Sequence, residues 1–228
     1  GAVGNYVFVP AEQIFNGASE TLKSGELEIS IMASVSRAIA GLLVGSLIGI
    51  ILGTSLALSR LADVVISPIF NAIRQIPVIG LIPLISLWFG NGESSKLLII
   101  SLAAFYPMVI ASHRALKMTD QRYDAVADIY QITGWSRLRH VVFPAAMPAI
   151  FAGLMQALVF TWISAIGTEL FFSPAPGIGS MMTNAQTAFR MDIMLVCVLV
   201  IGAVGYVINA LISRLSLSSL TWRDTRRI

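Results

Sequence analysis

The chain has 228 residues, of which 56% are hydrophobic and 12% are charged, and its formal net charge is +3. Soluble domains carry about 25% charged residues, so a chain with a mean hydropathy of +0.81 has too little polar surface for a water-soluble globule. This composition excludes an ordinary cytosolic enzyme and a disordered protein, and it indicates a polytopic membrane protein. The single cysteine, Cys197, excludes an intramolecular disulfide and a thiolate metal cluster.

Five apolar runs predict five transmembrane helices. In chain order they are spans A (about 35–58), B (64–89), C (97–111), D (149–172) and E (193–215). Spans A, D and E reach the roughly 20 residues that cross a bilayer, span C needs its flanks, and span B is broken by prolines. Barrel strands would alternate in hydropathy, and these runs do not. The predicted fold is therefore all-α, a polytopic membrane helix bundle.

The basic residues are distributed unequally between the two sides that five spans define. Ten of the fifteen lysines and arginines lie in the A–B loop, the C–D loop and the C-terminal tail, against three on the opposite side. The positive-inside rule then places the C–D loop and the C-terminus in the cytoplasm and the N-terminus outside. We expect an external segment over 1–32, a transmembrane domain over 33–213 with a cytoplasmic loop at about 113–146, and a basic cytoplasmic tail over 214–228.

Span A carries a glycine at every fourth position: Gly41, Gly45, Gly49 and Gly53. Such glycines form one slowly drifting stripe on which another backbone can approach closely. Because each glycine costs about 1 kcal/mol relative to alanine inside a helix, the stripe predicts a contact. Packing against a helix of the same chain is the favoured interpretation, and a subunit interface or a sliding surface is the alternative.

Span B carries a polar cluster beside a break. Asn71, Arg74 and Gln75 share one helical face just before Pro77, which removes a backbone hydrogen bond. Broken helices with polar side chains at membrane depth occur where they line a cavity or lie buried in protein. These four residues are therefore predicted to line a translocation path. The alternative is a location at the cytoplasmic interface, with Arg74 reaching lipid headgroups.

The C–D loop predicts a helix, a turn and a second helix between about Met118 and Phe143. Thr119 or Asp120 can cap the first helix, and Gly134 can separate the two. Apolar residues alternate with charges, as expected of a segment that docks on another protein; a solvated amphipathic hairpin is the alternative.

This loop resembles the coupling motif of bacterial ABC importer permeases: Glu-Ala-Ala, three residues, Gly, nine residues, an aliphatic residue, one residue, Leu-Pro. Aligned without gaps, Glu-Ala-Ala falls on residues 125–127 (AVA), the glycine on Gln131, the aliphatic residue on Val141 and Leu-Pro on residues 143–144 (FP). Alanine thus replaces the glutamate, and the nearest acid is Asp124. The resemblance implies that the ATPase-coupling residues are Asp124, Ala125, Ala127, Asp128, Ile132, Gly134, Trp135, Arg137 and Pro144.

A second resemblance covers nearly the whole chain. Residues 73–77 (IRQIP), 81–84 (LIPL) and 87–90 (LWFG), with Glu169 before 176–179 (PGIG), resemble the permease branch that imports sulfonates, taurine and nitrate. It implies a type I permease whose first family span is absent from this chain, and it adds Glu169 to the residues of the path. It also implies a bacterial inner-membrane location and a small organic or inorganic anion as cargo.

The same resemblance implies partners: a second permease copy as a homodimer, two ATPase subunits, an external substrate-binding protein and membrane lipid. The chain lacks a Gly-x-x-x-x-Gly-Lys-Ser/Thr motif, so it is not expected to be an enzyme, and ATP and Mg are expected in the partner. No cofactor, metal site or nucleic acid is expected. The alternatives are an ion-coupled secondary transporter, which needs buried acids and usually an internal repeat, and a non-transporting membrane anchor.

Overall fold

A computed structural model describes residues 9–172 and 175–219, with side chains except those of 120–129 and 215–219. These residues form α-helices with short 3-10 and π-helical turns at Val78–Leu81 and Leu138–Val142, and no strand occurs among them, which confirms the all-α prediction. The helices are α1 (Ala11–Lys23), α2 (Glu26–Leu58), α3 (Arg60–Ile73), α4 (Ile82–Phe89), α5 (Glu93–Ile129), α6 (Gly134–Arg137), α7 (Phe143–Phe171), α8 (Ile178–Thr187) and α9 (Met191–Ser219).

Four of the five predicted spans are confirmed, and the fifth falls on a bent pair of helices. Four stretches are long and apolar enough to cross a membrane: Glu26–Leu58, Glu93–Thr119, Gly134–Phe171 and Met191–Arg214. The fifth predicted span, B, corresponds to the bent pair of α3 and Val78–Phe89, whose axes differ by 78° across a short break. The break falls at Pro77, as the loss of a backbone donor there requires.

The helices extend well beyond the apolar runs, because polar residues without helix breakers continue them. Helix α2 begins at Glu26 rather than near residue 35, and α5 runs from Glu93 to Ile129 rather than over 97–111. The expected helix start at Thr119 or Asp120 is wrong, since α5 passes through both positions. Residues 114–129 contain neither glycine nor proline, so nothing in this stretch interrupts the backbone hydrogen bonds.

The glycine stripe of α2 lies against α5. A Cβ atom built on Gly49 would lie 2.7 Å from the Met108 Cβ and 2.9 Å from the Phe105 carbonyl oxygen, and one on Gly53 would lie 2.6 Å from the Val109 carbonyl oxygen. Gly41 and Gly45 meet the preceding turns of α5 in the same way. The two backbones therefore approach at glycine distance over four successive helical turns.

Helix α3 packs along α5 on a different face from α2 and runs antiparallel to it. Asp63 Oδ2 accepts a hydrogen bond of 2.6 Å from Lys117 Nζ, and the ring of Phe70 packs against Phe105 and Tyr106. Since Tyr106 is the midpoint of the Glu93–Thr119 span, the end of α3 reaches the middle of the bundle.

At the end of the bundle where α8 lies, α1 attaches to the start of α9. Arg190 Nη2 donates to Glu20 Oε2 at 2.7 Å and to Asp192 Oδ2 at 2.7 Å. The hydrogen bond and charge of Arg190 hold the pKa of the exposed Glu20 carboxyl below its usual value. The polar N-terminal segment is thus partly an ordered helix.

Replacing Gly49 with alanine should destabilise the bundle. The new methyl group would overlap atoms of α5, and overpacking costs typically 1–3 kcal/mol of unfolding free energy. The matched control is Gly202→Ala in α9, where a Cβ meets no heavy atom within 4 Å and alanine favours the helix. The melting temperature in detergent should fall for Gly49→Ala and hold or rise for Gly202→Ala. Equal melting temperatures for both variants would contradict the close contact.

Candidate functional site

A cavity of about 780 Å³ lies between the break of the α3–α4 pair, α5 and α7. Its polar lining consists of Arg74, Tyr106, Arg114, Gln156 and Ser164, and its apolar lining includes Pro77, Ile79, Phe160 and Ile163. Among the residues whose side chains are described, the lining contains two arginines and no acid. The cavity runs along α5 from Ala103, near mid-span, to Arg114, at the end that carries the loop between α5 and α7. The end of the bundle that carries the loop between α5 and α7 is called the loop end below.

Arg74 projects from the C-terminal end of α3 into this cavity. Its Nε donates a 2.9 Å hydrogen bond to Asn71 Oδ1, whereas Nη1 and Nη2 have no partner among the described residues. Gln75 Nε2 donates to the Asn71 carbonyl at 3.3 Å, and neither Asn71 nor Gln75 lines the cavity. Of the predicted polar cluster, Arg74 and Pro77 therefore line the cavity, Asn71 orients the guanidinium, and Gln75 lies on the exposed surface.

The sequence pattern alone does not identify Arg114 as a cavity residue. The apolar run of span C ends at residue 111, which placed Arg114 in the loop, whereas α5 continues through it. The signal that could have identified it is helical periodicity, because Ala103, Pro107, Ala111 and Arg114 recur at the spacing of one helix face. Arg114 has no hydrogen bond or ion pair with another described residue.

Glu169 lies outside this cavity, at the opposite end of the bundle. Its carboxylate is fully buried and accepts hydrogen bonds of 2.8 Å from Ser34 Oγ, 2.8 Å from Arg37 Nη1 and 3.0 Å from the Gly179 backbone N–H. A carboxylate at a helix N-terminus satisfies backbone donors that the helix itself leaves unpaired, so Glu169 caps α8. Glu169 therefore stabilises the packing of α2, α7 and α8, and it does not line the cavity that contains Arg74 and Pro77.

Arg37 connects four segments at the same end. Besides Glu169, its guanidinium donates to both carboxylate oxygens of Glu93, at 2.6 and 2.9 Å, and to the Pro176 carbonyl at 2.7 Å. Lys96, which is 1% exposed, donates to Glu93 Oε1 at 3.1 Å. Two cations and two carboxylates neutralise each other here, as a partly buried charge cluster requires.

The segment after α7 contains glycines because Glu169 occupies the space of their side chains. A Cβ built on Gly177 would lie 2.7 Å from Glu169 Oε1, and one on Gly179 would lie 2.7 Å from Glu169 Cβ. Between them, the Ile178 N–H donates to Ser34 Oγ at 2.9 Å. The pattern of an acid followed by Gly-aliphatic-Gly is therefore a helix cap with its close-packed backbone.

The predicted coupling residues, 124–144, extend from the end of α5 to the start of α7, and a turn lies between α5 and α6. Gln131 has φ +54° and Gly134 has φ +59°, both in the left-handed region that favours glycine. Gln131 occupies the position of the glycine in the coupling motif. Glycine adopts this left-handed conformation without strain, whereas a glutamine there costs roughly 1–2 kcal/mol of conformational free energy.

The loop presents aromatic side chains to its surroundings. Tyr130 and Trp135 are each 72% exposed, Ile132 and Arg137 are half-buried, and Pro144 is exposed at the start of α7. The side chains of Asp124, Ala125, Ala127 and Asp128 lie outside the described residues. Large exposed apolar side chains in a structured turn are typical of an interaction surface.

Replacing Glu169 with glutamine should destabilise the protein. Removal of one partner from a buried ion pair costs about 3–5 kcal/mol, because the cluster of Arg37, Lys96 and Glu93 then keeps one uncompensated positive charge. Glu28→Gln is the matched control, since Glu28 is exposed and surface changes usually stay within about 0.5 kcal/mol. Thermal unfolding in detergent measures both variants. If Glu169→Gln melts with the parent, the carboxylate does not hold the α7–α8 junction.

Comparison with known proteins identifies the family. Residues 45–217 match the family described as binding-protein-dependent transport system inner membrane component. Permease protein SsuC of Escherichia coli (strain K12), which is named for aliphatic sulfonates transport, is 32% identical over 182 residues, which cover 80% of this chain and 69% of SsuC. The riboflavin transport system permease protein RibX of Chloroflexus aurantiacus is 33% identical over 199 residues (86% of this chain, 74% of RibX). The bicarbonate transport system permease protein CmpB of Synechococcus elongatus is 28% identical over 182 residues (80% and 66%). This chain therefore belongs to the family of inner-membrane permease subunits of ABC transporters.

Proposed function

We propose that this permease imports a small organic or inorganic anion, such as a sulfonate or nitrate, across the inner membrane, with the cavity at Arg74 as its path. One observation carries the proposal: the cavity is lined by two arginines that no described acid neutralises. Intramembrane cations are costly and usually face a partner or a pathway. An anionic cargo would supply the missing countercharge during transit.

The names of the relatives do not decide the cargo. SsuC and CmpB are named for aliphatic sulfonates and bicarbonate, which are anions, whereas RibX is named for riboflavin. The charge of the cavity in this chain favours the first class. The free edge of Arg74, with Nη1 and Nη2 side by side, suits the two oxygens of a carboxylate, sulfonate or nitrate.

The proposed assembly is a homodimer of this permease with two ATPase subunits, which hold ATP and Mg, and an external binding protein. Residues Ile132 and Trp135 would insert into a groove on the ATPase, with Arg137 pairing with an acid there. The excess of basic residues on the loop side supports a cytoplasmic loop end and C-terminus and an external N-terminus.

An ion-coupled secondary transporter finds less support. Such a carrier needs a buried acid that is free to bind the coupling ion. Among the described side chains, the buried acid is Glu169, and its oxygens already accept from Ser34, Arg37 and the backbone of α8. Its commitment to packing favours a transporter whose energy comes from ATP in another subunit.

Trp135→Ala or Ile132→Asp should weaken attachment of the ATPase and reduce uptake. Truncating a buried interface anchor costs about 2 kcal/mol or more, which is roughly a thirtyfold loss of affinity. Trp88→Ala is the matched control, because Trp88 is 66% exposed on α4, away from the loop end. Co-purification of the ATPase and ATP-dependent uptake into vesicles are measured. The proposed coupling surface is wrong if both loop variants recover as much ATPase as the Trp88 control.

Substitutions at Arg74 test the anion path. Arg74→Lys keeps the charge but loses the planar fork, so partial uptake should remain, whereas Arg74→Gln should retain little. Both variants should assemble with the ATPase normally, since Arg74 lies far from the loop. Gln75→Ala, on the exposed side of the same turn, should transport as the parent does. If a folded Arg74→Gln variant takes up the anion as fast as the parent does, the anion path at Arg74 is wrong, and Arg74 is an anchor at the membrane interface.

A further inference from the structure

Arg114 lies on the face of α5 that lines the cavity. The positive-inside rule accounts for basic residues at the loop end in general, but it does not account for one that lines a cavity. The preceding residue, His113, and Lys117, one turn further along α5, both approach Asp63 of α3, at 3.1 and 2.6 Å. Arg114 instead follows Tyr106, Pro107, Ile110 and Ala111 along the cavity wall. Arg114 therefore places its charge at the cavity and does not contribute to the ion pairs that attach α3 to α5.

The two cavity arginines lie at different depths. Phe70 of α3 packs on Phe105 and Tyr106, and α3 runs antiparallel to α5, so Arg74 lies one turn beyond Tyr106 on the side away from the loop end. Arg114 lies eight residues further along α5 than Tyr106, which corresponds to roughly 12 Å of helix. A small anion such as a sulfonate or carboxylate group can therefore contact one guanidinium at a time.

The wall between the two arginines offers a neutral donor. Gly153 of α7 packs directly on Ala111 of α5, and α7 runs antiparallel to α5. Gln156 consequently lies between the levels of Tyr106 and Arg114 and lines the same cavity. Its amide can hydrogen-bond an anion that has left one arginine and has not yet reached the other.

We propose that Arg114 is a second anion station, at the loop-end mouth of the cavity, which receives the cargo from Arg74 and releases it on the side of the coupling loop. The inference rests on the proposed function, because it assumes that the cavity is the path. Two weak stations conduct better than one strong site, since a transit site must also release its ion. A cation at the mouth also raises the local concentration of anions and repels cations.

The field of Arg114 can be measured without transport. A reporter cysteine at Ala149 lies one turn from the Gly153–Ala111 contact, at the level of Arg114, and Cys197 is fully buried, so the parent chain supplies the background. The full complex in nanodiscs is treated with an anionic thiol reagent, sulfonatoethyl methanethiosulfonate, or with its cationic trimethylammonium counterpart. The ratio of the two modification rates reports the potential in the mouth.

Arg114→Gln should lower the anion-to-cation rate ratio roughly 5- to 30-fold, as Coulomb's law gives for unit charges about 8 Å apart in a wet protein surface. Arg114→Lys should keep the ratio within about twofold. Arg60→Gln is the matched control, because Arg60 lies at the loop end of α3 outside the cavity, and it should leave the ratio unchanged.

Two results would overturn the inference. One is a ratio that does not respond to Arg114→Gln, and the other is an equal drop with Arg60→Gln, which would indicate a diffuse surface potential. Uptake of the anion by the same complex is scored separately. An unresponsive ratio with normal uptake refutes the station alone, whereas a responsive ratio in a chain that recruits no ATPase and imports nothing refutes the proposed function alone.

Discussion

The approach of α2 to α5 at backbone distance constrains the rest of the bundle. Four glycines remove the side chains that would keep the helices apart, and the neighbouring atoms of α5, such as the Phe105 and Val109 carbonyls, fill the space. In a bilayer, lipid tails are as apolar as leucine, so helices associate through this kind of close packing. Because α5 is fixed along most of its membrane-spanning length, it can present one face to α2, a second to α3 and a third to the cavity. The positions of Arg114 and of the coupling loop follow from that fixed helix.

Charge is handled differently at the three levels of the bundle. At the α8 end, Arg37 and Glu169 neutralise one another at full or near-full burial, and the carboxylate also caps a helix. At the loop end, Asp63 pairs with Lys117 and fastens α3. In the cavity between them, Arg74 keeps two nitrogens without a described partner. The chain compensates the other deeply placed charges, and this contrast is the reason for proposing an anionic cargo at Arg74.

Much of the fold could be predicted from the sequence, because hydropathy and proline positions are local. The five spans, the break at Pro77 and the glycine stripe are of this kind. Three features could not be predicted. Hydropathy places Arg114 in a loop, because a charge ends an apolar run without ending the helix. The bond between Arg37 and Glu169 joins residues 132 positions apart, which one sequence cannot reveal. Gln131 has a left-handed backbone conformation, with φ +54°, and a glutamine side chain does not indicate such a conformation.

The stiffness of the cavity walls differs from one side to the other. Helices α5 and α7 form one side, and they are locked by the contact of Gly153 with Ala111 and by the ion pairs at the α8 end. The other side is the break between α3 and α4, where the backbone lacks regular α-helical hydrogen bonds and where Arg74 is attached. Short irregular segments of this kind deform at lower cost than packed helices. We therefore expect a change in the shape of the cavity to be concentrated at residues 74–81. Arg74 lies on this more deformable wall, whereas Arg114 lies on the packed wall of α5 and α7.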